Sequence, residues 1–171
     1  YGLAVALERQ REFGEARRLI DGLLARDPDK LPYLLQLASL ELETGEGDAS
    51  RERLADLHHG FPGNHAIAVQ YAEALLRPRE PALATTAAGV LKAQLRERTD
   101  SPYLYKLYAR ASAIAGDDIT AAEALAEAYF RSGATDEAIE QLELLHARDD
   151  LDYYQRSRVT ARLEEMRIIL E

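Results

Sequence analysis

Two stretches of this chain, LIDGLLARDP (Leu19 to Pro28) and RERLADLHHGFP (Arg51 to Pro62), each run through a leucine-bearing amphipathic pattern and close on a proline. The prolines fall at positions 28 and 62, 34 residues apart, and the same displacement carries Leu3-Ala4 onto Leu37-Ala38 and then onto Tyr71-Ala72. It also carries Ala16 onto Ser50 and Ile20 onto Leu54. A large residue beside a small one, recurring on the first of two amphipathic segments, is what a helical hairpin requires. Ala4 opposite Ala16, and Ala38 opposite Ser50, let two antiparallel helices approach closely, while Leu3, Ile20, Leu37 and Leu54 fill the space around the contact.

A helix-turn-helix unit of this length is the period of a tetratricopeptide repeat. The third unit keeps the pattern with a slip. RPREP, Arg77 to Pro81, carries two prolines that break the helix and lengthen the turn, so the next large-small pair, Tyr108-Ala109, comes three residues late. With that allowance Ala87 and Leu91 take the places of Ala16 and Ile20, and Ala121 and Leu125 follow in the fourth unit. A further repeat starts at Leu125-Ala126, with Tyr129, Gly133, Ala138 and Leu142 in register, so one helix serves two hairpins. Helix-by-helix stacking makes such sharing easy. The last segment places Val159, Leu163, Met166 and Leu170 at intervals of four, three and four, an amphipathic helix suited to capping a repeat array.

The expectation is an all-α tetratricopeptide-repeat superhelical solenoid of about ten antiparallel helices, a single domain over 1–171. Repeats are placed near 1–30, 31–64, 65–101, 102–132 and 118–150, with a capping helix over 151–170. Helices are expected near 1–11, 14–26, 31–44, 48–59, 64–77, 80–97, 102–115, 118–132, 135–147 and 151–170, with no strand. Asp118 and Asp136 are candidate N-caps, and Gly14, Gly45, Gly116 and Gly133 fall where short turns are needed. Leu3, Ile20, Leu37, Leu54, Leu91, Leu125 and Leu142 are the expected core, with Leu125 the most sensitive because it serves two hairpins.

Composition narrows the function classes. Of 171 residues, 47% are apolar, enough for a core, and 30 acidic against 21 basic residues give a net charge of -9. That balance disfavours a sequence-independent grip on nucleic acid, which depends on neutralising phosphates. No apolar run is long enough to span a membrane. Cysteine is absent, which excludes disulfides, thiolate metal sites and cysteine nucleophiles while fitting either redox compartment. The chain begins at Tyr1 without initiator methionine or leader, as a piece of something longer would.

Catalytic chemistry finds no foothold. HExxH, GxSxG and Gly-rich phosphate loops are all missing. Three of the four histidines lie in HHGFPGNH, His58 to His65, but adjacent His58 and His59 point about 100° apart on a helix and do not converge on a metal. The stretch reads as a turn around the closing Pro62, and no metal site is assigned. The pairs Asp117-Asp118 and Asp149-Asp150 read as helix-end caps. Tyr103, Tyr105 and Tyr108 could form an aromatic strip, with Tyr108 claimed by the core, and Tyr153 and Tyr154 are expected to pack the last helix on its neighbour.

What remains is a surface. First helices line the concave face of such arrays, and counting from the large-small pairs places Val5, Glu8, Leu35, Ser39, Glu43, Gln70, Glu73, Arg77, Tyr103, Lys106 and Arg110 there. This mixed acidic groove with apolar spots suits an extended or helical peptide better than a small substrate.

The run from Ala122 to Arg167, above all LAEAYFRSG, AIEQLELL and LDYYQRSR, resembles the end of the BepA-type periplasmic zinc metalloproteases, in which a catalytic domain precedes a tetratricopeptide domain. YGLAVAL and LARDPDKLPYLLQLASLELETG are similar in a looser way. The resemblance implies a periplasmic, non-catalytic part of a protease that helps outer-membrane β-barrels assemble or degrades those that stall. Its implied partners are the barrel-assembly machinery, unfolded outer-membrane protein and its own protease domain. Zinc would belong only to that missing catalytic domain, and this chain would hold no cofactor. The competing expectation is a free-standing tetratricopeptide adaptor that scaffolds a cytoplasmic complex.

Overall fold

A computed structural model describes residues 1–170, the side chain of Leu170 excepted. The described residues form ten helices: α1 (Gly2–Arg9), α2 (Phe13–Leu24), α3 (Leu31–Glu43), α4 (Gly47–Gly60), α5 (His65–Leu76), α6 (Pro81–Glu97), α7 (Pro102–Ala115), α8 (Asp118–Arg131), α9 (Thr135–His146) and α10 (Tyr153–Leu170). They group into two compact units, Tyr1–Arg77 and Pro78–Glu171.

Local chemistry sets the helix ends. Asn64 and Ser101 cap α5 and α7, their side chains accepting from the amides of Ile67 and Leu104. Pro32, Pro81 and Pro102 sit in first turns, where a missing N–H costs nothing. Of the two expected acidic caps, neither holds that position. Asp117 caps α8, accepting from the Thr120 amide at 3.0 Å, and Asp118 is the first helical residue. Ala134 stands at the cap of α9, with Asp136 inside its first turn. The last helix begins at Tyr153 because Asp152 and Gln155 bond reciprocally, Gln155 N to Asp152 Oδ1 at 2.7 Å and Asp152 N to Gln155 Oε1 at 2.8 Å. Gly45, Gly116 and Gly133 take the left-handed conformation at turns, as placed. Gly14 does not; it lies inside α2, and Arg11 bears the positive φ of that turn.

In the first unit, Ala4, Ala16, Ile20, Leu37 and Leu40 form one cluster, and Ala38, Leu54 and Ala74 a second. Ser50 is fully buried, and its hydroxyl donates to the Ala38 carbonyl at 2.7 Å, so the small-small crossing is also a polar stitch. Glu41 of α3 is buried and accepts from Nε and Nη2 of Arg53 on α4 at 3.1 and 2.7 Å, a pair that the repeat pattern did not disclose. Leu3 departs from expectation: it is 63% exposed, because no described helix packs on its side of α1.

In the second unit, Ala126, Ala138, Leu142, Leu145, Leu151, Val159, Leu163 and Met166 make one core, so the capping helix buries the apolar positions assigned to it up to Met166. The side chain of Leu170 lies outside the described residues. Helix α8 packs on both α7 and α9, as a shared helix must. Leu125, however, is only half-buried. Ala124 and Ala128 occupy one buried face of α8 and Ala126 the other, and at about 100° per residue Leu125 points between them. Small residues, not Leu125, make the two contacts. Tyr153 and Tyr154 are also corrected: each is 79% exposed, and their rings meet edge to face at 5.7 Å, since the buried side of α10 is the Val159, Leu163, Met166 stripe.

Candidate functional site

The expected groove residues of the first unit lie on α1, α3 and α5, with Arg77 just past the end of α5, and two pairs of them bond to each other. Glu8 accepts from Gln36 Nε2 and, at 2.6 Å, from the Ser39 hydroxyl. Glu43 accepts from Arg77 Nη1 at 2.6 Å, one repeat further along. Val5 is half-buried, Leu35 packs beside Ala38 and Leu54, and Glu73 is half-buried. Gln70 is half-buried, and its buried Oε1 has no hydrogen-bond partner. Thus the carboxylates of Glu8 and Glu43 are answered within the unit.

On α7 the residues Tyr103, Lys106 and Arg110 share an exposed stripe. Tyr105 and Tyr108 lie on the other side of that helix, half-buried, so the three tyrosines do not form one strip. They look instead into a cavity of 370 Å³ inside the second unit. Thr120, Glu123, Ala124 and Glu127 of α8 line it, as do Leu142 of α9, Arg158, Val159 and Arg162 of α10, and Lys92 of α6. Glu123, Glu127, Arg158 and Arg162 escaped assignment to a site from sequence, and Tyr105, expected in an aromatic strip with Tyr103 and Tyr108, belongs here instead. The available signal was the fifth repeat: if α8 is read as a first helix, Glu123 and Glu127 take the same places as Leu35 and Ser39.

Two forked ion pairs join α8 to α10. Arg158 meets Glu123 at 2.7 and 2.8 Å, and Arg162 meets Glu127 at 2.5 and 2.9 Å, each across 35 residues. The bond to Glu123 raises the pKa of Arg158. Burial pulls that of Arg162 down, but hydrogen bonds to Glu127 and Glu165 outweigh it and the net shift is upward. Burial pushes both tyrosines up, helped at Tyr105 by Glu127 and at Tyr108 by Asp117 and Glu123. At neutral pH the cavity therefore presents protonated phenols and fixed guanidinium-carboxylate forks. Arg162 also lies over the Phe130 ring at 4.8 Å.

The histidine stretch spans the end of α4 and the start of α5. His58 stacks on Tyr71 with centroids 5.6 Å apart, its Nδ1 is buried without a partner, and burial lowers its pKa. Among the described residues no group of three His, Asp or Glu could hold a metal ion, and no helix is long and apolar enough to cross a membrane.

Helical hairpins that cross at small residues, repeated along an all-α chain, define a tetratricopeptide-type repeat domain. Over its whole length the chain is 28% identical to the beta-barrel assembly-enhancing protease of Yersinia pestis and 26% identical to that of Escherichia coli K12. It spans 35% and 34% of those proteins, about a third of their length. No protein-family model matches the chain. Among solved structures, it is similar to a thermophilic TPR protein of Thermus thermophilus, with a TM-score of 0.59 at 23% identity over 94% of this chain and 95% of that one. It is also similar to the MamA RS-1 ArsTM double mutant, with a TM-score of 0.71 at 15% identity over 99% of this chain and 93% of that one. These likenesses to solved structures establish the fold, a tetratricopeptide-type helical repeat.

Proposed function

We propose that this chain is the protein-recognition part of a periplasmic protease that assists outer-membrane β-barrel assembly, and that it catalyses nothing itself. The observation that carries the reading is the match, over the whole of this chain and about a third of theirs, with two beta-barrel assembly-enhancing proteases. In this reading the partners are the barrel-assembly machinery, unfolded outer-membrane protein or the protease domain of the same polypeptide. Zinc and hydrolysis would belong to that other domain, since this sequence contains no HExxH.

Recognition would use the first-helix faces: Val5, Glu8, Leu35, Ser39, Glu43, Gln70, Glu73 and Arg77 in the first unit, and Tyr103, Lys106 and Arg110 in the second. Exposed Lys106 and Arg110 would supply attraction that salt screens beyond roughly 8–10 Å at physiological strength. The test immobilises the chain and measures retention of a purified, urea-unfolded outer-membrane β-barrel protein after dilution, over a range of salt. Retention should fall as salt rises, and no retention at any salt would contradict the proposal.

A further inference from the structure

The cavity of the second unit has a charge balance unlike the rest of the chain. The protein as a whole carries -9, yet the cavity is lined by three cations, Lys92, Arg158 and Arg162, against two carboxylates, Glu123 and Glu127. Both carboxylates are held in forked bonds by the two arginines. A cationic ligand group would meet carboxylates whose charge the arginines already offset. Lys92 is different: it is exposed at the rim from α6, with no carboxylate partner among the described residues. The interior is apolar, with Ala124, Leu142 and Val159 at 4%, 2% and 1% exposure, and the rings of Tyr105 and Tyr108 stand beside it.

The geometry points to a docking site for an extended protein segment that places one aromatic side chain in this cavity and an adjacent carboxylate on Lys92. A volume of 370 Å³ is at the small end of ligand cavities, roughly 300–1,000 Å³, so it admits a single large side chain and excludes a folded element. Tyr105 and Tyr108 offer ring edges and faces to an aromatic guest, and their protonated hydroxyls can donate to the segment's carbonyls. The fixed forks keep the walls apart without a reorganisation on binding. The site rests on the protein-binding reading above and gives it a partner chemistry: aromatic next to acidic.

The experiment titrates the chain with three end-blocked peptides, GSFEGS, GSAEGS and GSFKGS, following amide chemical shifts. GSFEGS should perturb residues of α7, α8 and α10 saturably, GSAEGS should bind about tenfold more weakly, and so should GSFKGS. Lys92→Glu, a surface change that leaves the helical circular dichroism intact, should reverse the charge preference and favour GSFKGS. Equal affinity for GSFEGS and GSFKGS, or no saturable shift with any peptide, would overturn the proposal. If the Lys92→Glu chain still retains unfolded β-barrel protein as the parent does, the broader protein-binding reading stands and this site is not its means.

Discussion

The two units use the same hairpins but deploy their polar side chains differently. On the expected groove face of the first unit, odd helices bond to one another: Glu8 of α1 to Gln36 and Ser39 of α3, and Glu43 of α3 to Arg77 after α5. In the second, Glu123 and Glu127 of the even helix α8 reach Arg158 and Arg162 of the even helix α10. The spacing barely changes, 34 residues for Glu43 to Arg77 and 35 for the other two pairs. Hence the repeat length persists while the helix that carries the bonded face shifts by one. The first unit pairs Glu8 with Ser39 and Glu43 with Arg77 across its face; the forks of the second stand beside a cavity.

The core contrasts too, and that contrast predicts the largest effects. The α8–α9–α10 cluster is apolar, and Leu142, 2% exposed, sits in it and beneath the cavity. Leu142→Ala should destabilise by roughly 2–5 kcal/mol in urea unfolding. The first unit instead has the buried carboxylate of Glu41, and Arg53→Ala would leave it unpaired at a cost of about 3 kcal/mol. An Arg53→Ala chain as stable as the parent would remove the distinction between an ion-stitched and an apolar unit.

Smaller effects sharpen the same comparison. Half-buried Leu125, although on the shared helix, should cost only about 1 kcal/mol when cut to alanine. Losing as much as Leu142→Ala would restore it as the pivot of α8. Arg158→Ala breaks a partly exposed fork and should cost no more than about 1 kcal/mol. His58 gives the smallest effect. Its pKa is lowered in the fold, so the unfolded chain binds more protons, and stability is kept above the ordinary histidine value of about 6.5 and lost as pH falls below it. The drop in melting midpoint between about pH 7.5 and about pH 5.5 should be smaller in His58→Phe, and equal drops would assign it to other groups.

Much of this was legible in the sequence, for a physical reason. The large-small pairs report where backbones must approach, so Ala4, Ala16, Ala38, Ser50, Ala126 and Ala138 were all identified, and all are buried. Prolines and glycines likewise marked the turns around ten helices. Periodicity was less informative about which neighbour covers a face. Leu3 and Leu125 occupy core positions of the pattern, but one has no described helix over it and the other points between two packed faces. The cavity was hidden for a related reason: Tyr105, Glu123 and Arg158 look like ordinary surface residues until packing brings α7, α8 and α10 around one space. Reciprocal bonds such as Glu8 to Ser39 join residues 31 positions apart and leave no local trace.

If the carboxylates of Glu8 and Glu43 are engaged within the first unit while Lys106 stands exposed on the second, capture of a partner through charge should depend more on the second. The direct measurement is the affinity of unfolded outer-membrane β-barrel protein for three chains of equal helicity: the parent, Arg77→Glu, and Lys106→Glu with Arg110→Glu. Affinity should fall by about tenfold or more for the double reversal and stay near the parent's for Arg77→Glu. Loss of capture with Arg77→Glu, alongside unchanged capture by the double reversal, would place recognition on the first unit and contradict the account.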